Sequence, residues 1–199
     1  MMKVVLVDAG GANLGSLRQA LLRLDVEPVL SADAGVIRAA DRVILPGVST
    51  AANVMRRLGE LGLADVLRTL QAPLLGVCVG MQVLFEHSAE GDTPCLGLLP
   101  GRVRPLAPAP GVRVPHMGWN RLHRVRDSAL GRGITDGAFA YFVHGYAAPV
   151  TADCDLACRH GANFAAVVRR GRVAGAQFHP ERSGAVGARL LRNFIEAGP

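Results

Sequence analysis

The chain has almost no lysine: of its 22 basic side chains only Lys3 is one, and the rest are arginine. That excludes chemistries needing an internal lysine, such as a phosphate-cradling P-loop or Schiff-base catalysis. Aromatic residues make up 5% of the sequence, with a single tryptophan, and they are not interleaved with the arginines. Arg18, Arg38, Arg68, Arg102, Arg132 and Arg189 lie scattered along the chain. The net charge of +6 therefore reads as a solvated basic surface, able to steer an anionic substrate or partner, and not as a nucleic-acid stripe. Long apolar runs are also missing. The stretch from Pro73 to Met81 is far short of the ~20 residues that cross a bilayer, so no membrane partner is expected. No small-residue cleavage site follows the opening MMKVVLVD, so it reads as a first strand, and the chain as soluble and cytoplasmic.

Cysteine is sparse. Cys78, Cys95, Cys154 and Cys158 are expected to stay reduced in such a compartment. Cys154, Cys158 and His160 have a fragment of metal-ligand spacing, but a convincing fourth ligand is lacking, and neither a metal nor a cofactor is expected.

What is present is apolar material: half of the 199 residues are hydrophobic and 19% are charged. This supports a single folded domain over 1–199 with a large core and excludes a disordered chain. Short aliphatic runs alternate with helix-like stretches in the first half. Strands are expected at Val4–Val7, Pro28–Leu30, Val43–Leu45 and Leu74–Val77. Helices are expected at Asn13–Leu24, Ala51–Leu58, Leu61–Leu70 and from Val79 to Phe85. Continuous apolar strands of this kind belong to an open, mostly parallel α/β sheet with helices on both faces. From Gly91 to Arg126, Gly and Pro are frequent, and the expectation is loops with short antiparallel strands. Strands return at Ala140–Val143, Ala165–Arg169 and Val173–Phe178, and a last helix is expected from Gly184 to Ile195.

Residues 76–80 read Gly-Val-Cys-Val-Gly, directly after an aliphatic strand and before a helix-like stretch. This is the nucleophile-elbow pattern with cysteine as the nucleophile. Gly76 and Gly80 stand where side chains would collide, and Cys78 is thrust out at the carboxyl edge of the sheet, where such sheets bind ligands. A helix N-terminus favours its thiolate, and the Val79 N–H faces the place where an oxyanion would form. The bland alternative is a buried cysteine at a glycine-rich turn.

A thiol of this kind needs a base. Gln177-Phe178-His179-Pro180-Glu181 follows a strand and offers one. Pro180 keeps the segment extended, so that Glu181, two residues on, faces the same way as His179 and can orient its ring. That is the logic of nucleophile, base and orienting acid. A surface His-Pro-Glu turn is the alternative, since His87, His116, His123, His144 and His160 are also available.

GVCVGMQVLF around Cys78 and QFHPERS around His179 resemble the class I, triad-type glutamine amidotransferases, with a flavodoxin-like fold. DAGGANLGSL near the start, VPHMGWN at 114–120 and YFVHGY at 141–146 narrow the resemblance to the glutaminase subunits of imidazole glycerol phosphate synthases. It runs from Val4 to Phe194. The resemblance implies Cys78 as nucleophile, His179 as general acid and base, and Glu181 as orienter, acting on glutamine. It implies that Gly47 and Val48 complete an oxyanion hole with Val79, and that Gly80, Gln82, Tyr141 and His144 form the glutamine pocket or its edge. It also implies a (β/α)₈ cyclase partner in a heterodimer, met through Asn13, Met117, Trp119 and Arg182. From its residues alone, Trp119 reads first as core. The chain departs from the family at Ser49, where relatives carry a glycine, at Gly145 in place of serine, and at Arg182 in place of lysine. The glutaminase of vitamin B6 synthesis, another cysteine hydrolase, and a catalytically dead binding module are the competing readings; the last needs a damaged triad, and all three residues are present.

Overall fold

A computed structural model of the chain describes residues 2–10 and 14–197; Asn13 lies outside them. Its elements follow the chain as β1 (Val4–Val7), α1 (Leu14–Leu22), β2 (Val29–Ser31), α2 (Ala34–Arg38), β3 (Arg42–Gly47), α3 (Ala51–Glu60), α4 (Leu63–Arg68) and β4 (Leu74–Cys78). Then come α5 (Val79–Gln82), β5 (Phe85–Ser88), β6 (Thr93–Pro94), β7 (Leu99–Pro105), β8 (His116–Arg124) and β9 (Phe139–His144). The last are β10 (Tyr146–Ala147), β11 (Cys154–His160), β12 (Ala162–Arg170), β13 (Val173–Ala176) and α6 (Gly184–Ala197).

Among the described residues the main sheet runs in the order β2-β1-β3-β4-β13-β12-β11-β8-β9. The pairs from β2 to β13 are parallel, and the remaining pairs are antiparallel. β1 and β4 are buried along their whole length, which is why they read as unbroken aliphatic runs. The path turns back at β1, with β2 on one side and β3 and β4 on the other. Right-handed crossovers therefore place α1 and the α2–α4 group on opposite faces.

One expectation needs correcting. The helix after Cys78 is a single turn: it ends at Gln82, and Phe85 already pairs with Leu99 in a second, four-stranded sheet. The carbonyls of Val83 and Leu84 accept from Leu96, Leu98 and Leu99, which draws the chain out of the helix. The smaller β region is the four-stranded sheet β10-β7-β5-β6, with antiparallel β5–β6 and β7–β10 pairs, while β12, β11, β8 and β9 extend the main sheet. β11 carried no expectation; its buried Asp155, set between Arg126 and Arg169, interrupts the apolar pattern. No helix among the described residues is long and apolar enough to cross a membrane.

Candidate active site

β4 ends on Cys78 and α5 begins on the next residue. The turn forces Cys78 to φ 56°, ψ −115°, a region that side chains enter at a cost of ~1–3 kcal/mol unless packing holds them there. Packing does. A Cβ at Gly80 would sit 2.0 Å from the Leu45 carbonyl oxygen, and one at Gly76 would sit 2.5 Å from the Gly80 oxygen. Gly47 is a third such position, its Cβ falling 2.2 Å from the Gly80 nitrogen. Three glycines thus let β3, β4 and α5 meet backbone to backbone, and Gly47 pairs with Cys78 across the two strands.

The Cys78 sulfur donates toward the Val143 carbonyl at 3.8 Å. It opens on a cleft of about 460 Å³, within the usual range of small-molecule sites, that Val48, Ser49, Val79, His179 and Arg182 also line. His179 therefore reaches Cys78 from the far side of the chain. Its backbone N–H donates to the Tyr141 carbonyl at 2.9 Å, and the Ser183 hydroxyl donates to its carbonyl at 2.7 Å. That hydroxyl in turn accepts from the Tyr141 N–H at 2.9 Å, so β9 and the 179–183 turn hold the imidazole in place. Ser183 is a positioning residue that the sequence did not single out.

Glu181 meets His179 by a different route from the one expected. Pro180 opens a short 3₁₀ turn, Pro180–Arg182, instead of extending the chain, because its fixed φ suits the first helical position. The turn folds Glu181 back, and its Oε1 lies 2.8 Å from His179 Nδ1 with the carboxylate fully buried. Burial alone would lower the His179 pKa, but hydrogen bonds to Cys78 and Glu181, with the charges of both, outweigh it and raise it to about 10. His179 thus holds its proton at neutral pH, within reach of the sulfur.

The remaining candidates fall into two groups. Gly80 and Gln82 lie beneath the cleft. The Gln82 side chain is buried, donating to the Tyr146 carbonyl at 2.8 Å and to Gln177 Oε1 at 3.0 Å. His144 is buried beside it, its Nδ1 2.8 Å from the same carbonyl. Tyr141 belongs to an outer aromatic patch: the Trp119 ring meets it edge-on at 5.8 Å, and the Arg182 guanidinium lies over it at 5.5 Å. Met117 is 65% exposed and Trp119 56%, so Trp119 is not core. The β8–β9 register sets Trp119 opposite Tyr141 and Met117 opposite Val143. An apolar surface therefore adjoins the cleft through Arg182.

Cys154 and Cys158 are free, with burial pushing both thiols up to about 12. Among the described residues no group of His, Cys, Asp and Glu is arranged to hold a metal ion.

The family model described as glutamine amidotransferase class-I matches residues 5–197. Imidazole glycerol phosphate synthase subunit HisH of Xanthomonas axonopodis pv. citri is 62% identical over 98% of each chain. Its counterpart in Xylella fastidiosa is 61% identical over the same shares. Among solved structures, the glutaminase domain of Trypanosoma brucei CTPS with bound acivicin superposes with a TM-score of 0.66 at 15% identity, covering 99% of this chain and 94% of that one. A glutamine amidotransferase from Thermotoga maritima gives 0.60 at 19% identity, with 98% and 81% covered. At such identities the structures speak for the fold. The chain belongs to the class-I glutamine amidotransferases and, at 62% identity over nearly its whole length, to the HisH subunits of imidazole glycerol phosphate synthase.

Proposed function

We propose that Cys78, His179 and Glu181 form the glutaminase centre of this subunit, and that the ammonia they release is consumed by a cyclase partner of (β/α)₈ fold to make imidazole glycerol phosphate in histidine biosynthesis. One observation carries the reading: a cysteine on a strained strand-end turn shares a cleft with an imidazole that a buried carboxylate contacts at 2.8 Å.

The chemistry follows from those positions. The Cys78 thiolate attacks the side-chain carbonyl carbon of glutamine, and the carbonyl oxygen takes up the electron pair as an oxyanion. N–H groups of Val79 and of Gly47 or Val48 hold that oxyanion. As the tetrahedral intermediate collapses, the C–N bond breaks and His179 gives its proton to the departing nitrogen, leaving ammonia and a γ-glutamyl thioester. Neutral His179 then takes a proton from water, whose oxygen attacks the thioester, and glutamate leaves with the thiolate restored. Glu181 steadies the imidazolium throughout.

Met117, Trp119 and Arg182 are the proposed contacts to the cyclase, since exposed aromatic and methionine side chains in one patch are typical anchors of an interface. Glutaminase turnover is proposed to stay low until that partner is bound and liganded. The test is to mix the chain with a cyclase subunit, its ligand and glutamine, and to measure glutamate release. Release that rises with the liganded partner is expected; equal turnover with and without it overturns the coupling.

A further inference from the structure

Behind the cleft lies a buried polar chain that the proposed mechanism does not use. Its fixed point is the Tyr146 carbonyl, which can only accept. Gln82 Nε2 donates to it at 2.8 Å, and so the second proton of that amide is the one that meets Gln177 at 3.0 Å. Gln177 must therefore present its oxygen to Gln82, which turns its own N–H group toward the Cys78 sulfur at 4.0 Å. Both glutamines are buried, at 2% and 0% exposure, so water cannot stand in for either partner.

The other side of the same carbonyl fixes two rings. His144 Nδ1 lies 2.8 Å from Tyr146 O and must carry the proton, leaving Nε2 as an acceptor. His116 Nδ1, 3.1 Å away, then donates to it, and His116 Nε2 accepts from the Asn120 amide at 3.2 Å. The Asn120 nitrogen also donates to the Arg159 carbonyl at 2.9 Å, and its oxygen accepts the Arg121 N–H at 2.8 Å, which agrees with that orientation. One backbone oxygen thus sets the direction of five side chains, ending at the sulfur on one arm and on β8 at the other.

We propose that Gln177 is a further catalytic residue of the glutaminase centre, donating an N–H to the Cys78 thiolate, with Gln82 the positioning residue that prevents its amide from flipping. This rests on Cys78 being the nucleophile. A flipped Gln177 would set its oxygen against the negative sulfur, so a fixed orientation is what makes the amide a stabiliser. The charged and titratable groups facing the sulfur are His179, with Glu181 behind it, and Arg182 in the cleft wall. All three remain in the variant used as the test.

The experiment compares Gln177→Met, of similar length and without the donor, with the native chain by alkylation of Cys78 with iodoacetamide across pH. That reagent needs no glutamine site, and the other three cysteines are buried, their thiols pushed up to about 11 or 12. The midpoint of alkylation is expected to rise by about one pH unit, with a roughly tenfold slower reaction at pH values below the native midpoint. In complex with the cyclase, kcat for glutamine is expected to fall about tenfold with KM within about threefold, while an unchanged circular dichroism spectrum and co-elution with the cyclase serve as proof of folding. An unmoved alkylation midpoint in a folded Gln177→Met chain overturns the proposal. In the native chain, the side-chain amide signal of Gln177 should shift as Cys78 titrates, and an unmoving signal overturns it even where the variant fails to fold. Cys78→Ala run alongside separates the two layers. Retained glutaminase there refutes the nucleophile, whereas a dead Cys78→Ala with an unchanged Gln177→Met profile refutes only the role of Gln177.

Discussion

His179 and His144 are buried almost equally, at 8% and 6% exposure, yet their protonation is driven in opposite directions. Burial lowers the His144 pKa to about 3; its hydrogen bond to the Tyr146 carbonyl opposes that, and the neighbouring His116 adds to it. Burial likewise lowers His116 to about 4. At His179 the same burial is outweighed by a thiol on one side and a carboxylate on the other, and the pKa rises to about 10. Charge within hydrogen-bonding reach, and not depth, decides which imidazole is a proton donor and which is a fixed neutral link.

The largest break in that comparison is Cys78→Ala. It removes one of the two partners that raise His179, and glutamine-dependent synthesis by the complex should fall by roughly 10⁴-fold or more, with ammonia-dependent synthesis retained. A steady-state assay with each nitrogen source distinguishes the two activities. Glu181→Gln leaves the shape but takes away the charge. Glutaminase kcat should drop on the order of 10²-fold, with the His179 pKa moving down toward that of His144; an unchanged histidine titration would mean that Glu181 does not set it.

Stability against pH sharpens the contrast, because the two sites have opposite signs. The raised His179 contributes stability that is complete below about pH 6.5 and lost as pH climbs through about 10. His116 and His144 are depressed, so the unfolded chain binds their protons first. Stability should decline as pH falls from 6.5 toward about 4 and then about 3. Urea unfolding between pH 5 and 10 should show a fall at each end, and variants at the two sites should flatten opposite limbs. The smallest effect belongs to Ser49, which holds φ 83° in the cleft wall. Ser49→Gly relieves that conformation and should stabilise the chain by up to about 1 kcal/mol, readable as a small rise in Tm.

The parts of this site written in consecutive residues were legible before any coordinates. Gly76-Val77-Cys78-Val79-Gly80 carries its turn in its own sterics, and His179-Pro180-Glu181 carries its ion pair in its spacing. Even there the route differs from the expected extended one, because proline opens a helical turn as readily as it extends a strand, and only the surrounding contacts decide which. Trp119 read as core because a lone tryptophan is usually buried; its exposure depends on what β9 leaves uncovered. β11 was invisible because Asp155, on a buried strand, is neutralised by Arg126 and Arg169, one from before and one from after it in the chain. Gln177 did leave a signal, a lone amide between Ala176 and Phe178 at the end of an apolar strand. Its partners Gln82 and Cys78 stand nearly a hundred residues away, so the signal had no meaning until the strands were paired.

The most direct measurement is the ¹⁵N NMR titration of the histidine side chains in the native chain. At pH 7.5, His179 should show both ring nitrogens protonated, with loss of its proton only near pH 10, while His116 and His144 should show neutral rings protonated at Nδ1. A His179 that is neutral at that pH, titrating at or below the ordinary value near 6.5, would contradict the thiol–imidazole–carboxylate unit on which the proposed mechanism stands.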